Sequence, residues 1–137
     1  MRADPSPAAW QALPNAPAIG TVVGDRAALG DGQILLCQLP GAGALHGSTP
    51  FSLLLLRSGP TITAFANRCA HFGVPLAARQ EQLLYQPHQH LQCNVHYARY
   101  RWQDGVCDRG DCVGEALIPV PLEIDASGCI RIAASAP

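Results

Sequence analysis

Cys69-Ala70-His71-Phe72-Gly73-Val74-Pro75-Leu76 and, further along, Cys93-Asn94-Val95-His96 are the two stretches that decide how this chain is read. Each brings one thiolate and one imidazole, and 21 residues separate His71 from Cys93. Two such loops can offer a Cys₂His₂ donor set to one centre. Tetrahedral zinc accepts that set. So does a two-iron, two-sulfide cluster with the cysteines on one iron and the histidines on the other. Neutral imidazoles give less negative charge than thiolates, so the histidine-bound iron takes an electron more readily. The potential then lies at roughly −150 to +300 mV, against about −400 mV for an all-cysteine cluster of plant type.

The order C-x-H, spacer, C-x-x-H resembles the Rieske family, and the flanks agree. Gly73 and Pro75-Leu76 follow the first motif. Arg99-Tyr100-Arg101-Trp102 runs to an Asp104-Gly105 turn after the second, and Pro119-Val120-Pro121-Leu122-Glu123-Ile124 is similar to the family's return strand. The similarity covers roughly residues 50–132, and residues 1–30 add nothing to it. It implies an all-β fold of small antiparallel sheets with a [2Fe–2S] cluster at the tips of two loops. Cys69 and Cys93 would hold one iron, and His71 and His96 the other. It also implies a ferredoxin that takes electrons from a reductase and passes them to an oxygenase, without catalysis of its own. A redox-sensing or interaction module, and a zinc-stabilised binding domain, are the alternatives.

Several positions depart from the family pattern. Tyr97 stands where glycine usually follows the second histidine, and Asn94 where proline often follows the second cysteine. High-potential relatives carry a disulfide between the loops, but Val74 and Val95 occupy those positions here. They also place a serine where this chain has Ala98, whereas their tyrosine is kept as Tyr100. Hydrogen bonds to cluster sulfurs raise the potential. The expectation is therefore a lower-potential, ferredoxin-like centre with an upward pull from Tyr100. The third loop, Cys107-Asp108-Arg109-Gly110-Asp111-Cys112, lacks the usual proline and has two cysteines instead. They read as unpaired thiols, with a redox-sensitive pair as the alternative.

Outward from the motifs, short apolar runs lie between Gly and Pro punctuation. Strands are predicted at 33–39, 51–57, 61–67, 83–86, 91–93, 99–103, 122–124 and 130–132. Ser58-Gly59-Pro60, Asp104-Gly105 and Ser127-Gly128 are turns, 41–50 is a loop, and 74–84 is the best helical candidate. Residues 1–17 hold four prolines and read as an extended arm docked through Trp10 and Leu13, ahead of one domain over 18–137.

The chain has 137 residues, 48% of them hydrophobic, and a formal net charge of −1, which gives no basic field for nucleic acid or anionic membrane. The leucine run Leu53–Leu56 is too short to span a bilayer. A cytoplasmic protein is expected. His88 and His90 would share one face of a strand and read as surface residues, as does His46 in its Gly-rich loop. Cys37 and Cys129 read as small core residues, Trp102 as core, and Arg99, Arg101 and Arg109 as a possible basic patch or a solvated face. No serine–histidine–aspartate set, P-loop or dinucleotide motif is present.

Overall fold

The computed structural model describes residues 9–13, 15–40, 50–70, 73–93, 97–110 and 112–134. Ten strands lie in it: β1 Val22–Asp25, β2 Ile34–Leu39, β3 Phe51–Ser58, β4 Thr61–Ala66, β5 Leu84–Gln86, β6 His90–Gln92, β7 Arg99–Arg101, β8 Cys107–Arg109, β9 Leu122–Ile124 and β10 Cys129–Ile132. They form three antiparallel sheets, ordered β1-β10-β9, β2-β3-β4 and β5-β6-β7-β8. The all-β expectation is met.

The leucine run explains the layering. Side chains alternate across a strand, so β3 is apolar on both faces. Leu54 and Leu56 enter one core with Phe65, Leu91, Tyr100 and Trp102. Phe51, Leu53 and Leu55 enter the other with Leu29, Ala64, Ala66, Val120 and Ile130. The register agrees: Leu54 lies opposite both Leu36 and Phe65, while Leu53 lies opposite Cys37 and Ala66. β3 is thus a wall shared by two cores, which is why no polar residue interrupts it between Leu53 and Leu56.

Ala9–Ala12 in the N-terminal segment winds into one 3-10 turn. That turn buries Trp10 in the second core, with Leu13 packed against it. Residues 41–49 of the expected loop, with His46, lie outside the described residues. Among the described residues no helix is long and apolar enough to cross a membrane.

Three expectations need correction. No helix forms over 74–84: only Gln80–Gln82 makes a 3-10 turn. Val74, Leu76, Ala77 and Leu83 imitate helical spacing, but Pro75 disfavours helical geometry before it, and Asn67 holds the segment as a loop by donating to the Ala77 carbonyl and accepting from Leu76 N–H. Strands β1 and β8 were not expected. Each is defined by its ladder rather than by apolar alternation. Finally, His88 and His90 do not share a strand face. His88 sits in the turn before β6 at φ 65°, with Nδ1 2.8 Å from the Ser58 hydroxyl, while His90 begins β6.

Candidate metal centre

The first motif leaves β4 through Asn67, whose side chain is buried and bonded through both its amide nitrogen and its oxygen. Its Nδ2 donates to Ser52 Oγ (3.0 Å) and to the Ala77 carbonyl (2.8 Å), and its Oδ1 accepts from Leu76 N–H (2.8 Å). The start and end of the loop are thereby pinned together. Inside it, Cys69 N–H donates to the Val74 carbonyl (2.6 Å) and Gly73 N–H donates to the Cys69 carbonyl (2.9 Å).

The second motif closes in the same way. Cys93 N–H donates to the Ala98 carbonyl (2.8 Å), and Tyr97 N–H donates to the Cys93 carbonyl (2.9 Å). In both loops the residue four after the cysteine is left-handed: Gly73 at φ 71° and Tyr97 at φ 59°. Glycine meets no steric penalty there, whereas tyrosine does. The departure from the family at Tyr97 is therefore a backbone cost, not a change of path. The side chain is 60% exposed, so it recovers little by packing.

Both cysteines are buried in the first core, at 3% exposure for Cys69 and 0% for Cys93. His71 and His96, with Phe72, Asn94 and Val95, lie outside the described residues. Among the described residues no group of three or more metal-binding side chains occurs, and two of the four expected ligands are not among them.

Tyr100 lies between the loops. It is fully buried on β7, opposite Leu91 of β6 and Cys107 of β8. Its hydroxyl is 3.2 Å from Cys69 Sγ, accepts from Ala70 N–H (3.0 Å), and is 3.3 Å from Cys112 Sγ. Burial, followed by the bonds to Cys112 and Cys69, pushes the phenol far above its ordinary value, so it is protonated and able to donate. Such a phenol can supply a hydrogen bond to a ligand sulfur.

The third loop leans on the second. A side chain at Gly110 would come within 3.0 Å of the Ala98 Cα. Its two cysteines are both buried, with Sγ atoms 2.7 Å apart. Burial, with the bond to Cys107, pushes the Cys112 thiol up to about 12, so it keeps its proton at neutral pH.

Several of the remaining candidates have other contacts, while His90 Nδ1 is buried with no hydrogen-bond partner among the described residues. Arg99 pairs with Asp108 (2.8 Å) and Arg101 with Asp104, which leaves little of the basic patch uncompensated. Trp102 is core, as expected, beside Tyr85. Burial pushes the Cys37 thiol up to about 11, as suits a packing residue. Asn67 is the positioning residue that sequence reading passed over. Its only signal is a residue with both donor and acceptor groups placed two before Cys69.

Comparison with known proteins gives the following. The sequence model of the Rieske [2Fe–2S] domain matches residues 23–122. No curated protein matches the chain's sequence. Among solved structures, the ferredoxin of carbazole 1,9a-dioxygenase from Nocardioides aromaticivorans IC177 is similar with a TM-score of 0.60 and 17% identity, over 85% of this chain and 98% of that one. The terminal oxygenase of carbazole 1,9a-dioxygenase from Novosphingobium sp. KA1 is similar with a TM-score of 0.62 and 22% identity, over 86% of this chain but only 31% of that one. The chain thus spans about a third of the oxygenase and nearly all of the ferredoxin. At these identities the likeness is one of fold.

Proposed function

The chain belongs to the Rieske [2Fe–2S] domain family, and we propose that it is a ferredoxin: a one-electron carrier between a reductase and an oxygenase, without catalysis of its own, whose [2Fe–2S] cluster is held by Cys69, His71, Cys93 and His96. The observation that carries this reading is the pair of loops closed by the same two hydrogen bonds, each around a buried cysteine. The cluster, when bound, supplies a centre that accepts and releases one electron without moving a proton on carbon or oxygen.

The described half of the donor set, Cys69 and Cys93, suits that group. Cys69 and Cys93 are held by backbone hydrogen bonds rather than by flexible stems, so their sulfurs lose little freedom on ligation. The Tyr100 hydroxyl, protonated and 3.2 Å from Cys69 Sγ, is placed to donate to a thiolate. Leu91, Tyr100 and Trp102 pack beneath the loops and exclude water from the sulfur side. His71 and His96 carry the second ring nitrogen through which a docked partner could be contacted.

The ferredoxin and the oxygenase compared above share this fold, and the carrier role is proposed from the chemistry of the donor set. Complexes of oxygenase and ferredoxin are known for carbazole 1,9a-dioxygenase, and an analogous pair of partners is proposed here. The cytoplasm is the proposed compartment, because thiolate ligands and further unpaired cysteines suit reducing conditions.

The test is electron paramagnetic resonance of the anaerobically purified, dithionite-reduced protein. A rhombic signal with average g near ~1.9 is expected, lost in His71→Ala and in His96→Ala. Reoxidation by an oxygenase after reduction by a reductase would identify the carrier. One bound zinc and no signal would overturn the reading in favour of a binding domain. Partner affinity that follows the oxidation state without turnover would replace the carrier by a sensor.

A further inference from the structure

Cys107 and Cys112 stand apart from the two ligand motifs, yet they are built into the same core. Their 2.7 Å separation lies between the ~2.0 Å of a sulfur–sulfur bond and the roughly 3.5 Å or more at which non-bonded heavy atoms rest. The backbone holds them there. Cys107 N–H donates to the Glu115 carbonyl (2.7 Å), Gly114 N–H to the Cys107 carbonyl (3.2 Å), and Glu115 N–H to the Cys112 carbonyl (2.9 Å). Cys107 is also fixed by the β7–β8 ladder opposite Tyr100.

We propose that Cys107 and Cys112 are a dithiol–disulfide couple, and that Tyr100 transmits its state to Cys69. The couple itself stands on the geometry of the third loop. The transmission rests on the reading of Cys69 as a cluster ligand.

The oxidant of the couple is hydrogen peroxide. Two S–H bonds and the O–O bond break, one S–S bond and two O–H bonds form as the thiol protons pass to the peroxide oxygens, and two waters leave. The sulfurs lose two electrons, which the peroxide oxygens accept. A dithiol reductant reverses the change.

The transmission follows from hydrogen-bond inventory. The Tyr100 oxygen accepts from Ala70 N–H and faces two sulfurs, Cys69 Sγ at 3.2 Å and Cys112 Sγ at 3.3 Å. As a thiol, Cys112 has one proton to offer, with the Tyr100 oxygen and Cys107 Sγ as its acceptors. A donor on the phenol oxygen polarises its O–H toward Cys69. The disulfide has no such proton. The hydrogen bond to Cys69 then weakens, and with it the pull that raises the potential.

The experiment adds peroxide stepwise to anaerobic cluster-loaded protein, stopping below the dose that bleaches the cluster. The protein is then denatured, alkylated without reductant and mapped by peptide mass. A Cys107–Cys112 cross-link, lighter by two hydrogens, is expected while Cys37 and Cys129 are alkylated. Recovery of both Cys107 and Cys112 as alkylated thiols overturns the couple. Redox titration of the two forms should give the lower potential for the disulfide, with no difference after the same treatment in Cys107→Ala/Cys112→Ala or in Tyr100→Phe. Equal potentials in the wild-type forms overturn the transmission alone. A cross-link in protein that never shows the cluster signal overturns the ligand reading and supports the couple.

Discussion

Replacing Asn67 by alanine should loosen the first motif without touching a cysteine. The amide makes three hydrogen bonds at the neck of the loop, to Ser52 Oγ, the Ala77 carbonyl and Leu76 N–H. Ser52 Oγ keeps a neighbour in Gln38 Nε2 at 3.4 Å. Leu76 and Ala77 are almost fully buried, at 0% and 2% exposure, so water cannot replace what their backbone groups lose. Each stranded buried group costs about 1–3 kcal/mol. Two of them, partly relieved by relaxation, give a loss of about 3 kcal/mol. For a domain of this size that is a fall of roughly 9 °C in the melting midpoint. Thermal unfolding followed by far-ultraviolet circular dichroism measures the loss, and visible absorbance shows whether cluster bleaching precedes it. Ser52→Ala is the companion variant. It removes one partner but leaves Asn67 bonded to Ala77 and Leu76, and should cost about 1 kcal/mol or less. If Asn67→Ala lost less than about 1 kcal/mol, or if the two variants were equal, the pinning of the loop by this side chain would be wrong.

Tyr97→Gly should stabilise the protein by about 0.5 kcal/mol, because relief of the left-handed tyrosine outweighs the added freedom of glycine in the unfolded chain. Urea midpoints test this, and a clear loss would assign the exposed ring a contact that holds the loop. Gly105→Ala should cost about 2–3 kcal/mol, since φ is 72° and the new Cβ would fall 2.7 Å from Phe65 Cε1. An unchanged midpoint would contradict that contact. Asp125 caps the β9–β10 turn, and the Ser127 hydroxyl and then Arg131 hold its carboxyl well below the usual carboxylate range. A carboxyl depressed in the folded state contributes above its unfolded value, about pH 4, and loses that contribution as pH falls further. The deficit of Asp125→Asn in urea denaturation should therefore be present at pH 7 and shrink below pH 4; a deficit independent of pH would assign it to neutral hydrogen bonding.

What the sequence made legible was what local pattern encodes. The Leu53–Leu56 run and its partners in β2 and β4 declare themselves by apolar content, and the Gly59-Pro60 and Asp104-Gly105 turns by backbone demand. The two cysteine motifs offer a candidate donor set by spacing, of which Cys69 and Cys93 are among the described residues. The unread parts depend on distant partners. β1 is Val-Val-Gly-Asp with a bulge, and it exists because β10 supplies its ladder. β8 is Cys-Asp-Arg, polar in two of three positions, and it is a strand because β7 is beside it. His88 was misplaced because alternation was extended one turn too far. The Cys107–Cys112 contact lay in plain view as an i, i+5 pair, but spacing alone does not say whether two sulfurs meet.

The site is assembled across two sheets, and this makes Tyr100 more than a donor to sulfur. Cys69 follows β4 of the second sheet by three residues and Cys93 directly follows β6 of the third, to which Tyr100 and Cys107 belong. Within the third sheet the ladder fixes them: Tyr100 is registered against Leu91 two residues before Cys93, and against Cys107. Among the described residues no such ladder joins the two sheets. The Tyr100 hydroxyl reaches across to Ala70 N–H and Cys69 Sγ, so one phenol ties the first loop to the strand that follows the second. The loops themselves have equal spans, Cys69 to Gly73 and Cys93 to Tyr97, yet their histidines stand two and three residues after the cysteine. Identical closure with unequal histidine spacing means that the frame is set by the cysteine and the left-handed residue, not by the imidazole.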